Sequence, residues 1–311
     1  MRVVFMGTPQ FAVPSLEALL DAGYDVVGAF TQPDRPVGRG HKLAACPVKE
    51  AALRRGVPVY QFERLRSEEG LACLRGLAPD LVVTAAFGQI LSQALLDVPR
   101  LGTVNVHASL LPAYRGAAPI NWCIINGETK TGVTTMLTDA GVDTGPMLLS
   151  RETDIGPEET AGELSCRLSL LGAQLLVETL RGYLDGSVRP VPQDESRASR
   201  QPMLKKEMGD IDWTLPAEQI VNRVRGLDPW PCAYTACEGG MLKVFRARPA
   251  QGAGEPGAVL VASAKEGLIV ACGAGALEVL EMQAPGGRRM SARAYLAGKR
   301  IPVGTRFGRN S

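Results

Sequence analysis

The first 150 residues of the chain alternate short, almost wholly apolar runs with segments of helical periodicity. The segments of helical periodicity predict helices near 14–22, 47–55 and 67–76, with Pro in a first turn and Gly at the ends. Apolar strands that alternate with helices are typical of a parallel sheet covered on both faces. The runs that predict strands lie at 3–6, 25–31, 81–87, 103–107, 133–137 and 147–152.

A longer helix is predicted at 158–184. One face of it is marked by leucines that recur every three to five residues, namely Leu164, Leu168, Leu171, Leu175 and Leu180. The stretch 186–204 that follows is rich in Pro, Ser and charged residues and has no periodicity, which favours a linker.

Beyond residue 204 the pattern changes to one helix, at 216–225, and five short strands separated by glycines. The strands are predicted at 233–237, 242–246, 258–262, 267–272 and 276–282. Short, closely spaced strands favour a small barrel, and we expect a Greek-key barrel of the oligonucleotide-binding type. The predicted fold class is α/β, with a Rossmann-like parallel sheet in residues 1–188, a linker at 189–204 and a β-barrel domain at 205–311.

Composition supports globular domains and excludes several other classes. The chain has 311 residues, of which 45% are hydrophobic and 21% charged, as in soluble globular proteins. Its seven cysteines are scattered without a CxxC pair, so we predict no metal site. No apolar run reaches the length of a membrane span, and we expect a cytoplasmic protein.

Charge is distributed unevenly along the chain. Residues 205–311 carry 15 basic and 10 acidic side chains, whereas residues 1–204 carry 19 and 22. No acidic residue occurs from Met282 onward. A basic end of this kind fits a polyanion such as nucleic acid, but it fits a solubilising face equally well.

The chain contains two histidines, His41 and His107, the side chains that exchange protons most readily near neutral pH. His41 lies in a basic loop, whereas His107 ends the strand predicted at 103–107. Asn105 and His107 are two residues apart, so their side chains point to the same face of that strand. They also lie at the carboxyl end of a parallel strand, where α/β sheets bind ligands. A structural histidine beside a polar asparagine is the alternative.

A carboxylate follows in a glycine-rich turn, where Asp143 lies between Gly141 and Gly145. Such a turn lets a ligand approach the backbone, although its Asp is often only a turn residue. An amide, an imidazole and a carboxylate in one cleft suit acyl transfer, because the amide stabilises an oxyanion and the imidazole accepts a proton. The absence of a GxGxxG fingerprint and of a P-loop disfavours a nicotinamide oxidoreductase or an ATP-binding protein.

The run Asn-Val-His-Ala-Ser-Leu-Leu-Pro at 105–112, followed by Asp143, resembles the signature of the 10-formyltetrahydrofolate-dependent transferases. Five further segments of the chain resemble the branch of that family that acts on methionyl-tRNA. These segments lie at 5–12, 31–40, 114–120, 211–213 and 229–231. The resemblance covers roughly residues 1–305 in order, and the tract 197–208 departs from the usual linker pattern.

The resemblance implies an enzyme that moves a formyl group from 10-formyltetrahydrofolate to the amino group of methionyl initiator tRNA, for translation initiation. It implies no metal, and we expect a monomer. The implied catalytic residues are Asn105, His107 and Asp143. The residues implied at the folate site are Phe87, Gly88, Gln89, Ile90, Leu91, Ser109, Leu110, Leu111, Pro112 and Asp139. Those implied at the tRNA are Arg35, Arg39, His41, Lys42, Arg288 and Arg289.

Two alternatives stay open. Another folate-linked transferase, acting on glycinamide ribonucleotide or on a nucleotide sugar, would share the Asn-His-Asp set without needing the domain at 205–311. A non-catalytic RNA-binding protein on an α/β scaffold would explain the basic end of the chain but not that set.

Overall fold

The computed structural model describes residues 1–37 and 42–308. The described chain divides into two compact units. The first unit comprises Met1–Pro119, Lys130–Asp154 and Ser165–Gln201, and the second comprises Ile120–Thr129, Ile155–Leu164 and the chain from Pro202 onward. Two short segments before residue 165 thus belong with the second unit. The predicted division of the chain into consecutive domains did not include this exchange. The domain boundaries at 1–188, 189–204 and 205–311 stay a prediction.

The first unit is built around a sheet of seven strands in the spatial order β10-β9-β7-β6-β1-β2-β5. Two small pairs of strands, β3 with β4 and β8 with β11, lie outside this sheet. The strands of this unit are β1 (Arg2–Gly7), β2 (Asp25–Thr31), β3 (Arg35–Val37), β4 (Lys42–Ala44), β5 (Val59–Gln61), β6 (Leu81–Ala85), β7 (Thr103–His107), β8 (Arg115–Gly116), β9 (Lys130–Leu137), β10 (Met147–Asp154) and β11 (Arg200–Gln201).

The predicted parallel sheet is confirmed for β5, β2, β1, β6 and β7, which pair in parallel. Strands β9 and β10 are antiparallel and extend the sheet beyond β7. Both faces of β1 are covered, and Val3, Val4 and Phe5 are fully buried. The strand predicted at 81–87 ends earlier, at Ala85, because Ala86 has a φ of 45° and leaves the extended conformation.

The helices confirm the predicted pattern. Pro14 lies in the first turn of the helix Val13–Asp21, and the Ser67 hydroxyl caps the helix Glu68–Gly76 by accepting a hydrogen bond from the Gly70 amide. Within the described residues, no helix combines the length and apolarity that a membrane crossing requires. The helices that precede residue 186 are α1 (Val13–Asp21), α2 (Pro47–Arg54), α3 (Glu68–Gly76), α4 (Gln93–Leu96), α5 (Pro119–Ile125) and α6 (Ala161–Asp185).

Helix α6 begins three residues later than the helix predicted at 158–184, because Thr160 and Glu163 form a capping box. The Thr160 hydroxyl accepts a 3.3 Å hydrogen bond from the Glu163 amide, and the Glu163 carboxylate accepts a 2.9 Å bond from the Thr160 amide. Four of the five predicted leucines are buried, and Leu171 is partly exposed.

Part of the segment predicted as a linker is ordered against the first unit. Val191 exchanges two 2.8 Å backbone hydrogen bonds with Met147, and β11 pairs in parallel with β8. A short 3-10 turn lies between them at Glu195–Arg197. The composition of this segment favoured a linker. In the structure, hydrogen bonds hold the segment in place, rather than burial of apolar side chains.

The second unit contains an antiparallel sheet in the order β12-β13-β16-β15-β14, with β17 paired to β16. Because β14, β15 and β16 follow one another as hairpins and β16 also pairs with the earlier strand β13, these four strands have Greek-key order. The predicted β-rich second domain is confirmed. Its elements are α7 (Ala217–Gly226), β12 (Ala233–Cys237), β13 (Gly240–Ala250), β14 (Val259–Ser263), β15 (Gly267–Ala271), β16 (Ala276–Gln283), β17 (Met290–Ser291) and α8 (Ala292–Gly298).

The core of the second unit is mostly apolar and includes the indole of Trp213. Leu268, Leu277 and Met282 are fully buried. Trp213 is 4% exposed, and its indole N–H donates a 2.9 Å hydrogen bond to the Thr235 hydroxyl. The bond satisfies the donor that a buried tryptophan brings into a core.

A side chain at Gly172 is expected to destabilise the first unit, because α6 approaches β7 closely there. A Cβ at this position would lie 2.9 Å from Cγ1 of Val106. We expect Gly172→Val to lower the free energy of unfolding by about 1–3 kcal/mol, as overpacking does. Urea denaturation measures this change. The control is Leu170→Ala, at an exposed position of the same helix, which should change stability by less than about 0.5 kcal/mol. Equal losses in the two variants would contradict close packing at Gly172.

Candidate active site

Two of the predicted catalytic side chains, Asn105 and His107, lie at the carboxyl end of β7. Thr84 of the neighbouring strand β6 is paired with Asn105 in the ladder. The Thr84 hydroxyl donates a 2.8 Å hydrogen bond to Oδ1 of Asn105. Since that oxygen is occupied, the N–H groups on Nδ2 are the side of the amide that can donate to a ligand.

The imidazole of His107 is buried and its orientation is fixed. Nε2 lies 3.0 Å from the carbonyl oxygen of Tyr114. A carbonyl oxygen only accepts hydrogen bonds, so Nε2 carries a hydrogen, and in the neutral ring Nδ1 can accept a proton. Nδ1 lies 3.5 Å from Oδ1 of Asp143. The structure thus brings the imidazole and the carboxylate face to face at the edge of the sheet.

Asp143 has an uncommon backbone conformation. Its φ of 54° lies in the left-handed region, which costs an L residue about 1–2 kcal/mol. Oδ2 accepts a 2.9 Å hydrogen bond from the amide of Gly116. One carboxylate oxygen therefore faces His107, and the other is bonded to the backbone of the loop that follows β7.

The turn that carries Asp143 is closed by Asp139 and leaves no room at Gly145. Oδ1 of Asp139 accepts hydrogen bonds from the Gly141 amide at 3.0 Å and from the Thr144 hydroxyl at 2.7 Å. Asp139, implied at the folate site, therefore shapes the turn through Oδ1. A Cβ at Gly145 would lie 1.8 Å from a backbone oxygen, so no side chain fits there.

The loop after β7 is held by the hydroxyls of Ser109 and Thr134. The Ser109 hydroxyl donates to the carbonyl of Ala113 at 2.7 Å. The Thr134 hydroxyl donates to the carbonyl of Ser109 at 2.7 Å and accepts from the Leu111 amide at 3.1 Å. Of the loop residues implied at the folate site, Leu110 is partly exposed, whereas the buried ones are Ser109, Leu111 and Pro112.

The segment 87–91, also implied at the folate site, is braced by Gln89. The Gln89 amide donates from Nε2 to the carbonyl of Phe62 at 2.9 Å and accepts at Oε1 from the Leu65 amide at 2.8 Å. Both ends of this side chain hold the segment in place. The structure therefore gives Gln89 a structural role, and no local sequence pattern indicated these distant partners.

The other residues of this segment divide into core and surface. Phe87 and Leu91 are buried, whereas Ile90 is 70% exposed. Gly88 has a φ of 84°, which favours glycine. The segment follows β6, which lies beside β1, and from these two strands the sheet continues in opposite directions. Ligands of open α/β sheets bind at such a switch point.

Arg115 is a buried charge to which sequence reasoning gave no role. It is 1% exposed, and its Nη1 and Nη2 donate to the Glu195 carboxylate at 2.9 and 2.7 Å. Nε and Nη2 also donate to Oε1 of Gln193 at 2.9 and 2.8 Å. The hydrogen bonds to Glu195, together with the charges of Glu195, Asp139 and Asp143, hold the pKa of Arg115 above its ordinary value despite burial. A loop arginine ordinarily lies at the surface, so no local pattern indicated this position.

The basic residues implied at the tRNA in the first unit are only partly described. Arg35 is exposed at the start of β3, which pairs with β4. Arg39 and His41 lie outside the described residues, as does the side chain of Lys42. The candidate tRNA loop therefore stays a prediction.

The two neighbouring arginines of the second unit differ in their environment. Arg289 donates to the Glu281 carboxylate at 2.6 and 2.9 Å, lies 3.7 Å from Asp228, and stacks 4.3 Å above the Phe245 ring. Arg288 is exposed, and in the described part of the chain it forms no ion pair. Carboxylates of the protein thus compensate the charge of Arg289, whereas no ion pair with a described residue compensates the charge of Arg288.

Metal-ligating side chains do not cluster in residues 1–37 and 42–308, where no group of three His, Cys, Asp or Glu could hold an ion. The candidate site instead contains the amide of Asn105 and the imidazole of His107, which faces the carboxylate of Asp143. Such a set can stabilise an oxyanion and move a proton.

Comparison with known protein families agrees with this chemistry. Residues 1–180 match the formyl transferase family, and residues 203–300 match the C-terminal domain of formyl transferases. The chain belongs to the formyl transferase family.

Two relatives of this formyl transferase, from Trichlorobacter lovleyi and Geobacter metallireducens, are both named methionyl-tRNA formyltransferase. The first is 55% identical over 304 residues, which are 98% of this chain and 96% of the relative. The second is 52% identical over 308 residues, which are 99% of both chains.

Solved structures share the fold of this formyl transferase at low identity. The sugar 3N-formyl transferase WlaRD, solved with dTDP and 5-N-formyl-THF, has a TM-score of 0.65 at 17% identity and covers 90% of this chain and 97% of its own. HypX from Aquifex aeolicus in complex with tetrahydrofolic acid has a TM-score of 0.63 at 18% identity over 95% of this chain. This chain spans 47% of HypX. At such identities the likeness shows the fold alone.

Two isosteric substitutions on β6 and β7 of the formyl transferase are expected to differ in their effect on stability. Thr84→Val leaves Oδ1 of Asn105 without its donor and should lower the free energy of unfolding by about 0.5–1.5 kcal/mol. The hydroxyl of Thr103 is buried without a partner, so Thr103→Val should leave stability unchanged or raise it, by about 1 kcal/mol at most. Urea denaturation of both variants tests this, and an equal loss in the two would show that the bond to Asn105 contributes nothing.

Proposed function

We propose that this chain transfers the formyl group of 10-formyltetrahydrofolate to the free amino group of methionyl initiator tRNA, giving N-formylmethionyl-tRNA for translation initiation. The observation that carries the proposal is the identity of 50–55% to methionyl-tRNA formyltransferases over nearly the whole chain. The pairing of Asp143 with His107 beside the oriented amide of Asn105 supports it from the geometry. This role belongs to the cytoplasm, and we expect a monomer.

Asn105 has the geometry of an oxyanion donor. The amine of the aminoacyl-tRNA attacks the formyl carbon that the folate supplies, and negative charge develops on the formyl oxygen. The bond from Thr84 to Oδ1 orients the amide of Asn105, and its Nδ2 hydrogens can donate to that oxygen. A pre-oriented donor stabilises the transition state without reorganisation.

His107 and Asp143 form the pair that takes up the proton of the attacking amine. Nε2 of His107 keeps its hydrogen on the Tyr114 carbonyl, which leaves Nδ1 to accept the proton on the side of Asp143. The carboxylate stabilises the imidazolium that results. As the tetrahedral adduct collapses, the C–N bond to the folate breaks, and the proton passes to the departing folate nitrogen. The pair returns to its starting state.

The folate site is proposed at the switch point of the sheet. The exposed Ile90 and the backbone around Gly88 follow β6, which lies beside β7, and Oδ2 of Asp139 belongs to the turn that carries Asp143. Leu110 is the partly exposed side chain of the adjoining loop. Gln89, Ser109 and Leu111 support this site from within the protein rather than as exposed side chains.

The tRNA acceptor distinguishes this proposal from the sugar formyltransferases that share the fold. The test supplies the purified protein with 10-formyltetrahydrofolate and, separately, methionyl initiator tRNA, glycinamide ribonucleotide and a nucleotide-linked amino sugar. We expect formylation of the tRNA alone. Formylation of either small acceptor, with none of the tRNA, would overturn the proposed acceptor and keep the family.

Loss of the oxyanion donor or of the imidazole should be severe. We expect Asn105→Ala to lower kcat about 100- to 1,000-fold. His107→Ala should lower it about 100- to 10,000-fold, because the proton acceptor is gone. Single-turnover formylation of methionyl-tRNA measures both, with circular dichroism to confirm the fold. Thr103→Val on the same strand is the control and should keep the wild-type rate. Near-wild-type rates in the alanine variants would remove both residues from the mechanism.

Salt dependence should separate the two neighbouring arginines of the second unit. Removal of one side chain that binds a phosphate reduces the slope of log affinity against log salt by about one. We expect such a reduction for Arg288→Ala and a smaller one for Arg289→Ala, because Glu281 and Asp228 already compensate the charge of Arg289. Filter binding of methionyl-tRNA across a salt series measures the slopes.

The candidate loop of the first unit belongs to the same experiment. A quadruple variant that replaces Arg39, Lys42, Arg288 and Arg289 by Ala should have a clearly shallower slope than the wild type. An unchanged slope in that variant would refute the assigned tRNA surface as a whole.

A further inference from the structure

The segment 193–201, here called the strap, is hydrogen-bonded to the loop that follows β7. Ser199 makes three of these bonds. Its amide donates to the carbonyl of Pro112 at 3.3 Å, its hydroxyl accepts from the Tyr114 amide at 2.9 Å, and its carbonyl accepts from the Arg115 amide at 2.8 Å. The strap therefore holds the loop whose Tyr114 carbonyl orients His107.

Gln193 of the strap bridges this loop and the turn that carries Asp143. Its Oε1 accepts from Nε and Nη2 of Arg115 at 2.9 and 2.8 Å. Its Nε2 donates to the carbonyl oxygens of Asp143 at 2.9 Å and Gly145 at 2.7 Å. One side chain thus fixes the buried guanidinium on one side and the backbone of the catalytic turn on the other.

A side-chain amide is the chemical group that this bridge requires. It must accept two hydrogen bonds from a guanidinium at one end and donate two to carbonyl oxygens at the other. A carboxylate of the same length accepts but has no hydrogen to donate. A thioether of similar length does neither to a useful extent. Variants at Gln193 can therefore remove the donating half of the bridge while retaining the accepting half.

We propose that Gln193 is a positioning residue for formyl transfer, which holds the Asp143 carboxylate against Nδ1 of His107. The turn at Asp143 has a left-handed φ, so it needs external hydrogen bonds to keep its conformation. Gln193 supplies two of them on the backbone, while the Gly116 amide supplies one on the carboxylate. The kinetic part of this inference rests on the proposed function, and the geometric part does not.

The test compares Gln193→Glu and Gln193→Met with a matched control in the strap. Gln193→Glu keeps an acceptor for Arg115 and loses both donors to the turn. Gln193→Met loses both halves at nearly constant length. The control is Ser196→Ala, since the Ser196 hydroxyl bonds to Asp194 within the strap and reaches neither catalytic loop.

The first readout is steady-state formylation of methionyl-tRNA with 10-formyltetrahydrofolate. We expect both Gln193 variants to lower kcat about 10- to 100-fold, the size of effect that a small misplacement of catalytic groups produces. KM for each substrate should stay within about threefold of the wild type, because binding groups are not removed. Ser196→Ala should match the wild type. A wild-type kcat in a folded Gln193 variant, or a loss confined to KM, overturns the proposal.

The second readout does not depend on activity. The chain has two histidines, so the imidazole Cε1–H region of the proton NMR spectrum holds two resonances. A His41→Gln variant assigns them. At fixed pH and without substrates, the His107 resonance should move or broaden in both Gln193 variants and stay in place in Ser196→Ala. A fall in kcat with an unmoved His107 resonance overturns the positioning role, since the pair would then be undisturbed.

The two readouts separate failure of this inference from failure of the proposed function. If the wild type formylates no methionyl-tRNA, the proposed function fails, and the NMR comparison still decides whether Gln193 positions the pair. If Gln193→Met does not fold, Gln193→Glu decides, because it keeps its acceptor for the buried arginine. Thermal unfolding of each variant shows whether that variant folds.

Discussion

A guanidinium that is only 1% exposed to solvent has to be compensated by neighbouring acceptors, and Arg115 organises the candidate active site in this way. Burial of an unpaired charge costs several kcal/mol or more, so the acceptors must be in place whenever the protein is folded. Glu195 and Gln193 supply them from a segment that lies almost 80 residues further along the chain. The requirement draws that segment across the loop after β7, and the second end of Gln193 then reaches the turn of Asp143.

The parts of this arrangement that depend on periodicity were predictable from sequence. The strand at Thr103–His107 follows from its apolar pattern, and the two-residue spacing places Asn105 and His107 on one face of it. The carboxyl edge of the sheet follows from the alternation of strands and helices. The helices α1 to α3 were predicted within a residue or two for the same reason, because their ends carry Pro, Ser and Gly signals.

What sequence did not reveal are polar contacts between distant segments. Gln89 has its partners at Phe62 and Leu65, and Gln193 has its partners at Arg115 and Asp143, with no pattern that links them. The same holds for the segment predicted as a linker, whose composition indicates flexibility although hydrogen bonds order it up to Gln201. Charge counting likewise ignores pairing, and it treated Arg288 and Arg289 alike although Glu281 and Phe245 engage only the latter among the described contacts.

The glycines of the turn that carries Asp143 have a consequence for how such an enzyme can be redesigned. At Gly145 any side chain would collide with a main-chain oxygen, and at Gly141 it would meet the Thr144 hydroxyl at 2.0 Å. Neither glycine therefore offers a position at which new substrate contacts could be introduced. Libraries that aim at a different acceptor amine should leave these two glycines intact and vary an exposed position of the same turn, such as Val142, whose side chain is 46% exposed.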